Sequence, residues 1–212
     1  MRKAVLKIIT VAILIGTAPI VDAGLVSYTG ELSVGDGSLT ATGLWANPST
    51  SITWEISKND EELWTYEYQL IVPEKEISHF VIEVSETFGC DDLISYISDY
   101  PIQIQDYSSE NGNPEMPGNI YGLKFDETSG IVLDIYFCTY RNPVWGDFYS
   151  KDGKTNGVFN TVYNTGFLLD DPSIAAHNGS EQGHLLRPDT VPEPATIALL
   201  SMGGMLISLK RR

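Results

Sequence analysis

Residues 64–72 read Trp-Thr-Tyr-Glu-Tyr-Gln-Leu-Ile-Val. Trp64, Tyr66, Tyr68, Leu70 and Val72 fall on one parity; Thr65, Glu67 and Gln69 fall on the other. A period of two separates apolar from polar side chains only on an extended backbone, so this stretch predicts a half-buried β-strand. Residues 79–84 repeat the pattern, with Phe80, Ile82 and Val84 inward and His79 on the polar side. Residues 131–137 do so again, with Ile131, Leu133, Ile135 and Phe137 on one face. Further strand candidates are 27–32, 39–45, 51–56, 121–125, 144–149 and 157–163, with a last one near Leu185-Leu186. Turn signals separate them, among them Gly35-Asp36-Gly37, Lys58-Asn59-Asp60, Ser129-Gly130 and Asp152-Gly153. The one short helix expected is 91–98, where Leu93, Ile94 and Ile97 would share a face. Residues 107–119, rich in Gly, Asn and Pro, read as a surface loop. Many short strands with frequent turns predict an all-β fold: a single β-sandwich, jelly-roll or Ig-like, over residues 24–187.

The charge of this middle region limits its partners. Between residues 24 and 190 there are 26 acids and seven bases, against a net charge of -15 for the whole chain. Such a surface repels nucleic acid and anionic headgroups and suits divalent cations or neutral partners such as glycans. Acidity that only keeps an exported protein soluble is the plainer reading.

Both ends read as processing segments. Arg2, Lys3 and Lys7 precede an apolar stretch that closes on Val21-Asp22-Ala23. Small residues one and three positions before the cut suit signal peptidase, so residues 1–23 are read as a signal peptide cleaved between Ala23 and Gly24. At the other end, a linker from residue 188 leads to Val191-Pro192-Glu193-Pro194. An uncharged run, 195–209, follows, and then Lys210-Arg211-Arg212. As a helix the run spans about 22 Å, short of the roughly 30 Å hydrocarbon core. The basic tail would stay cytoplasmic. A transient anchor fits this length better than a permanent one.

The tripeptide Pro192-Glu193-Pro194, the short hydrophobic helix and the terminal basic cluster together resemble the PEP-CTERM sorting signal. The resemblance covers residues 191–212 and says nothing about the middle domain. It implies that a membrane-embedded exosortase recognises Pro192, Glu193 and Pro194 and removes the tail. It also implies transient inner-membrane anchoring by residues 195–209, and delivery to the cell surface or medium of a Gram-negative bacterium that makes exopolysaccharide. The partners expected on this reading are signal peptidase and exosortase during export, then an extracellular polysaccharide or a matrix protein.

No catalytic constellation stands out. GxSxG and HExxH are absent, so neither a serine nor a zinc hydrolase is supported. Carboxylates are so numerous that no pair can be singled out for a glycan hydrolase. The expectation is a non-enzymatic binding or structural domain, with a carbohydrate-binding module as the alternative. Trp145, Asp147 and Tyr149, at alternate positions, would point to one side of a strand and grip a sugar; a core Trp and Tyr beside a turn have the same spacing. Trp45, Trp54 and Trp64 are read as core. No cofactor is expected from motifs, and calcium is the one ion weighed seriously, at Asp91-Asp92 or Asp170-Asp171. Residues 152–163 fail as an EF-hand, with Lys154 at a ligand position and Tyr163 where the closing Glu belongs. His177 and His184 with Asp170 or Asp171 would form a metal centre, against the plainer reading of exposed polar residues. Cys90 and Cys138 are a candidate disulfide worth roughly 3–4 kcal/mol by chain entropy. A pair of buried thiols stays open as the alternative.

Overall fold

The computed structural model describes residues 26–189 apart from Ser98. The signal-peptide and sorting-tail readings, including Ala23, Gly24, Pro192, Glu193 and Pro194, lie outside the described residues. Among the described residues thirteen strands follow one another: β1 (Ser27–Ser33), β2 (Leu39–Ala41), β3 (Ser51–Lys58), β4 (Trp64–Ile71), β5 (His79–Glu83), β6 (Ser95–Tyr96), β7 (Ile102–Tyr107), β8 (Ile120–Asp126), β9 (Val132–Thr139), β10 (Pro143–Gly146), β11 (Phe148–Thr155), β12 (Val158–Asn164) and β13 (Leu185–Pro188). They form a five-stranded sheet in the order β1-β3-β4-β9-β6 and a six-stranded sheet in the order β2-β12-β11-β5-β8-β7. Every pairing is antiparallel. The domain is an all-β sandwich. A small ribbon, β10-β13, closes one end, with β13 touching β1, β3 and β5.

The alternation in β4 decides which side chains meet. Trp64, Tyr66, Tyr68 and Leu70 are buried, whereas Glu67 and Gln69 are exposed. Ile52, Trp54 and Ile56 of β3 and Leu133, Ile135 and Phe137 of β9 extend the same inner face. Opposite them the six-stranded sheet contributes Phe80, Ile82, Leu123, Phe125, Phe148 and Val162. Aromatic pairs span the gap, Tyr68 with Phe80 at 6.0 Å and Phe125 with Phe137 at 6.3 Å between ring centroids. The phenols buried here are satisfied by backbone. Tyr66 Oη donates to Arg141 O at 2.8 Å and Tyr68 Oη to Leu186 O at 2.7 Å. Gly30 is required on β1 because a Cβ there would run into the Trp54 ring.

The two sheets differ on their outer faces. The six-stranded sheet carries a second apolar cluster outside, made by Val81, Tyr107, Met116, Ile120, Tyr149 and Phe167. Residues 107–119 and the 3-10 turn Thr165–Leu168 supply the cover. The 107–119 segment is therefore more than a surface loop, since Asn113 and Met116 are buried. His79, expected on a polar face, is 5% exposed for this reason. Among the described residues nothing comparable covers the outer face of the five-stranded sheet.

Other expectations change locally. The helix expected over 91–98 is not formed by residues 91–97: a single 3-10 turn, Cys90–Asp92, leads into the two-residue β6. The strand expected over 144–149 breaks at Asp147 into β10 and β11, and β2 gives way to a 3-10 turn at Gly43–Trp45. Asp152-Gly153 is no turn. It lies in a register shift of β11, and the hairpin turns at Asn156-Gly157, both with positive φ, as a tight hairpin requires. Ile102–Tyr107 was not anticipated as a strand, although Ile102 and Ile104 alternate with Gln103 and Gln105.

Candidate ligand face and buried charge network

Register builds the open face. Thr29 lies opposite Glu55, Glu55 opposite Glu67 and Glu67 opposite Tyr136. The next row runs Glu31, Thr53, Gln69, Asp134. These eight side chains line a shallow groove of about 740 Å³, whose lining includes no lysine, arginine or histidine. Gln69 Nε2 donates to Asp134 Oδ1 at 2.8 Å. Tyr136 is 39% exposed, and its hydroxyl lies 2.9 Å from Cys138 Sγ, a contact that raises the phenol pKa. Glu55 and Glu67 stand directly opposite one another, a like-charge pair that costs stability in an antiparallel ladder. Chemically the face is a field of hydrogen-bond acceptors interleaved with hydroxyls and one accessible aromatic ring.

A second polar group sits at the end closed by the β10-β13 ribbon. Arg187, on β13, passes over Gly146, where a Cβ would collide with it. Its Nη2 lies 3.2 Å from Glu83 Oε1 and 2.8 Å from Asp171 Oδ2. Glu83 Oε2 accepts the Asp147 backbone N–H at 3.0 Å. Asn164 Nδ2 donates to Asp147 Oδ1 at 2.6 Å and to Gly183 O at 3.0 Å, and Asn164 Oδ1 accepts the Phe148 N–H. His184, fully buried, places Nδ1 3.1 Å from Asp147 Oδ1 and 3.6 Å from Asp171 Oδ1. Burial pushes the Glu83 carboxyl up to about 7 despite Arg187. Burial works against a charged His184, yet Asp147, Asp171 and Glu83 outweigh it and raise the imidazole.

The sequence-derived site residues fall into place as follows. Trp145 and Tyr149 are 1% and 0% exposed, so neither offers a ring to a sugar. They also do not share a side, because the break at Asp147 resets the alternation. Trp145 joins the main core and Tyr149 the outer cluster, its hydroxyl donating to Pro114 O. Asp147 is buried in the charge network. Trp45, Trp54 and Trp64 are core, as read. Cys90 and Cys138 are unbonded: Cys90 is exposed on its 3-10 turn, while Cys138 Sγ is buried against Thr65 Oγ1 and the Tyr136 hydroxyl. Asp92 is not open to calcium, because Arg141 holds both its oxygens at 2.8 and 2.9 Å and keeps its carboxyl below the usual range. Of the histidine reading, His184 and Asp171 do come together. His177 instead packs at a tilt against Trp145, 4.8 Å between ring centroids, and Asp170 is exposed outside the cluster. Glu83, Asn164 and Arg187 carried no signal in sequence, since they lie on three separate strands. Glu67 and Gln69 were visible as the polar parity of one strand, but not the rows they complete.

Fold and sites together define a sandwich domain with one open acceptor-rich sheet face. Residues 190–212 match the family model described as the PEP-CTERM protein-sorting motif. No curated protein and no solved structure matches the chain. The chain therefore carries a PEP-CTERM sorting motif at residues 190–212, and the motif supports an exported protein targeted to exosortase, bound for the cell envelope or surface of a Gram-negative bacterium. Among the described residues no helix is long and apolar enough to cross a membrane.

Proposed function

We propose that the sandwich is a non-enzymatic binding domain that holds an uncharged extracellular polysaccharide along the open face of the five-stranded sheet. The observation that carries this reading is the pair of cross-strand rows, Thr29-Glu55-Glu67-Tyr136 and Glu31-Thr53-Gln69-Asp134. Carboxylate and amide oxygens accept hydrogen bonds from sugar hydroxyls, threonines donate or accept, and a half-open Tyr ring offers a stacking surface. The uncompensated Glu55–Glu67 juxtaposition costs the fold something, as expected where local choices serve a ligand rather than stability. Glu55 and Glu67 both stand in open solvent, unlike the desolvated carboxylic acid of a glycosidase, so binding without turnover is the reading. Sorting to the surface would then place the face among exopolysaccharide chains, in the role of a surface or matrix component.

Affinity electrophoresis in gels containing neutral polysaccharides tests it. The wild-type chain should be retarded by at least one of them, and Glu67→Ala combined with Tyr136→Ala should remove the retardation while the far-UV spectrum is kept. Retardation that survives both changes would place binding elsewhere. Release of reducing ends, abolished by a single carboxylate change, would make the protein an enzyme.

A further inference from the structure

Three donors from distant parts of the chain converge beside the β10-β13 ribbon: Asp147 between β10 and β11, Asp171 in the segment joining β12 to β13, and His184 at the entry to β13. One ligand atom from each lies within 4.8 Å of the others. Ligands about 2.0–2.2 Å from a tetrahedral ion sit about 3.4 Å apart. The observed separations from His184 Nδ1 to the two carboxylate oxygens, 3.1 and 3.6 Å, bracket that spacing.

A second observation concerns the imidazole itself. His184 is 0% exposed, and neither of its ring nitrogens completes a hydrogen bond among the described residues. Nε2 faces Gly166, where there is no room even for a Cβ, while Nδ1 points into the gap between Asp147 and Asp171. A buried polar atom without a bonded partner is expensive, and an ion in that gap would complete it.

The surroundings resemble the outer shell of a metal centre more than a simple ion pair. Asn164 bonds the Asp147 carboxylate, Arg187 holds Asp171 by Oδ2 and leaves Oδ1 turned toward His184, and Glu83 fixes the Asp147 backbone. Two carboxylates, Glu83 and Asp171, share the Arg187 guanidinium, and Asp147 lies beyond its reach against His184 and Asn164. The Asp171 side chain is 33% exposed, which gives an ion a way in from solvent.

We propose that Asp147, Asp171 and His184 bind one divalent transition ion of the zinc class, which staples the β12–β13 segment to the sandwich. The mixed donor set selects the ion: imidazole suits zinc-like metals, whereas calcium takes six to eight oxygens. The proposal stands apart from the sheet face and does not depend on it.

The test uses chelator-treated protein titrated with zinc chloride by calorimetry, with calcium chloride in parallel. One zinc per chain is expected, with a rise in melting temperature and a change in tryptophan fluorescence, since Trp145 lies two residues from Asp147. Asp171→Asn, at the open side of the site, should lower zinc affinity at least about tenfold and leave the metal-free melting temperature close to wild type. Asp170→Asn and His177→Gln should keep wild-type affinity. His184→Gln should abolish binding, and if that variant does not fold, Asp171→Asn decides. Absence of saturable zinc binding would overturn the proposal and leave an imidazolium paired with Asp147. So would zinc binding untouched by Asp171→Asn, or tighter binding of calcium than of zinc.

Discussion

Protonation of His79 should be a main cause of acid unfolding. The imidazole is enclosed under the outer cover of the six-stranded sheet, and burial, with Lys124 and Lys151 nearby, lowers its pKa to about 3; Asp126 and Asn113 offset this only in part. In the unfolded chain it returns to about 6.5. Between these values the unfolded state binds the extra proton, so stability rises with pH across the window. The contribution is fully present above the unfolded pKa, shrinks as pH falls below it, and is exhausted below the folded one. Linkage puts the loss at about 2 kcal/mol at pH 5 and about 4 kcal/mol at pH 3. Urea unfolding of wild type and His79→Gln across that range isolates the histidine, because the remaining carboxylates titrate in both proteins. The difference between the two stability profiles should slope through acid pH and flatten near neutrality. Parallel profiles, or a His79 resonance that titrates near 6.5 in the native protein, would refute the reasoning.

Other outcomes are as definite. Cys90 should react with a thiol reagent in the native protein and Cys138 only after unfolding, and reductant should leave the melting temperature unchanged; a disulfide in the purified protein would contradict the packing of Cys138 against Thr65 and Tyr136. Gly30→Ala should cost about 1–3 kcal/mol in urea unfolding, because the Trp54 ring must leave its place, and an unchanged midpoint would show that the ring yields freely. The intact mass of the protein from native cells should correspond to a start at Gly24 and an end near Pro192. A mass that retains residues 195–212 would mean that exosortase does not process the chain.

What sequence alone determined were the features written in adjacent residues. Alternation over 64–72 and 131–137 marked β4 and β9, including which side chains face the core, because strand parity is a local property of the backbone. The sorting signal was legible for a similar reason: tripeptide, apolar run and basic cluster are contiguous and are read by the export machinery as a linear segment. His79 shows where this legibility stops. Its parity was read correctly as opposite to Phe80 and Ile82, but a polar parity means solvent only if nothing covers that face. The cover comes from residues 107–119 and 165–168, brought there by tertiary packing. Trp145 and Tyr149 show the same limit, since a one-residue break at Asp147 turns apparent partners to opposite sides. Of the two candidate sites, sequence named only the pairing of His184 with Asp171, and tertiary structure decided the rest. Glu55 meets Glu67, and Asp147 meets Asp171 and His184, only through strand order and crossings between sheets, which follow from the packing of the whole core and leave no mark on any single stretch of chain.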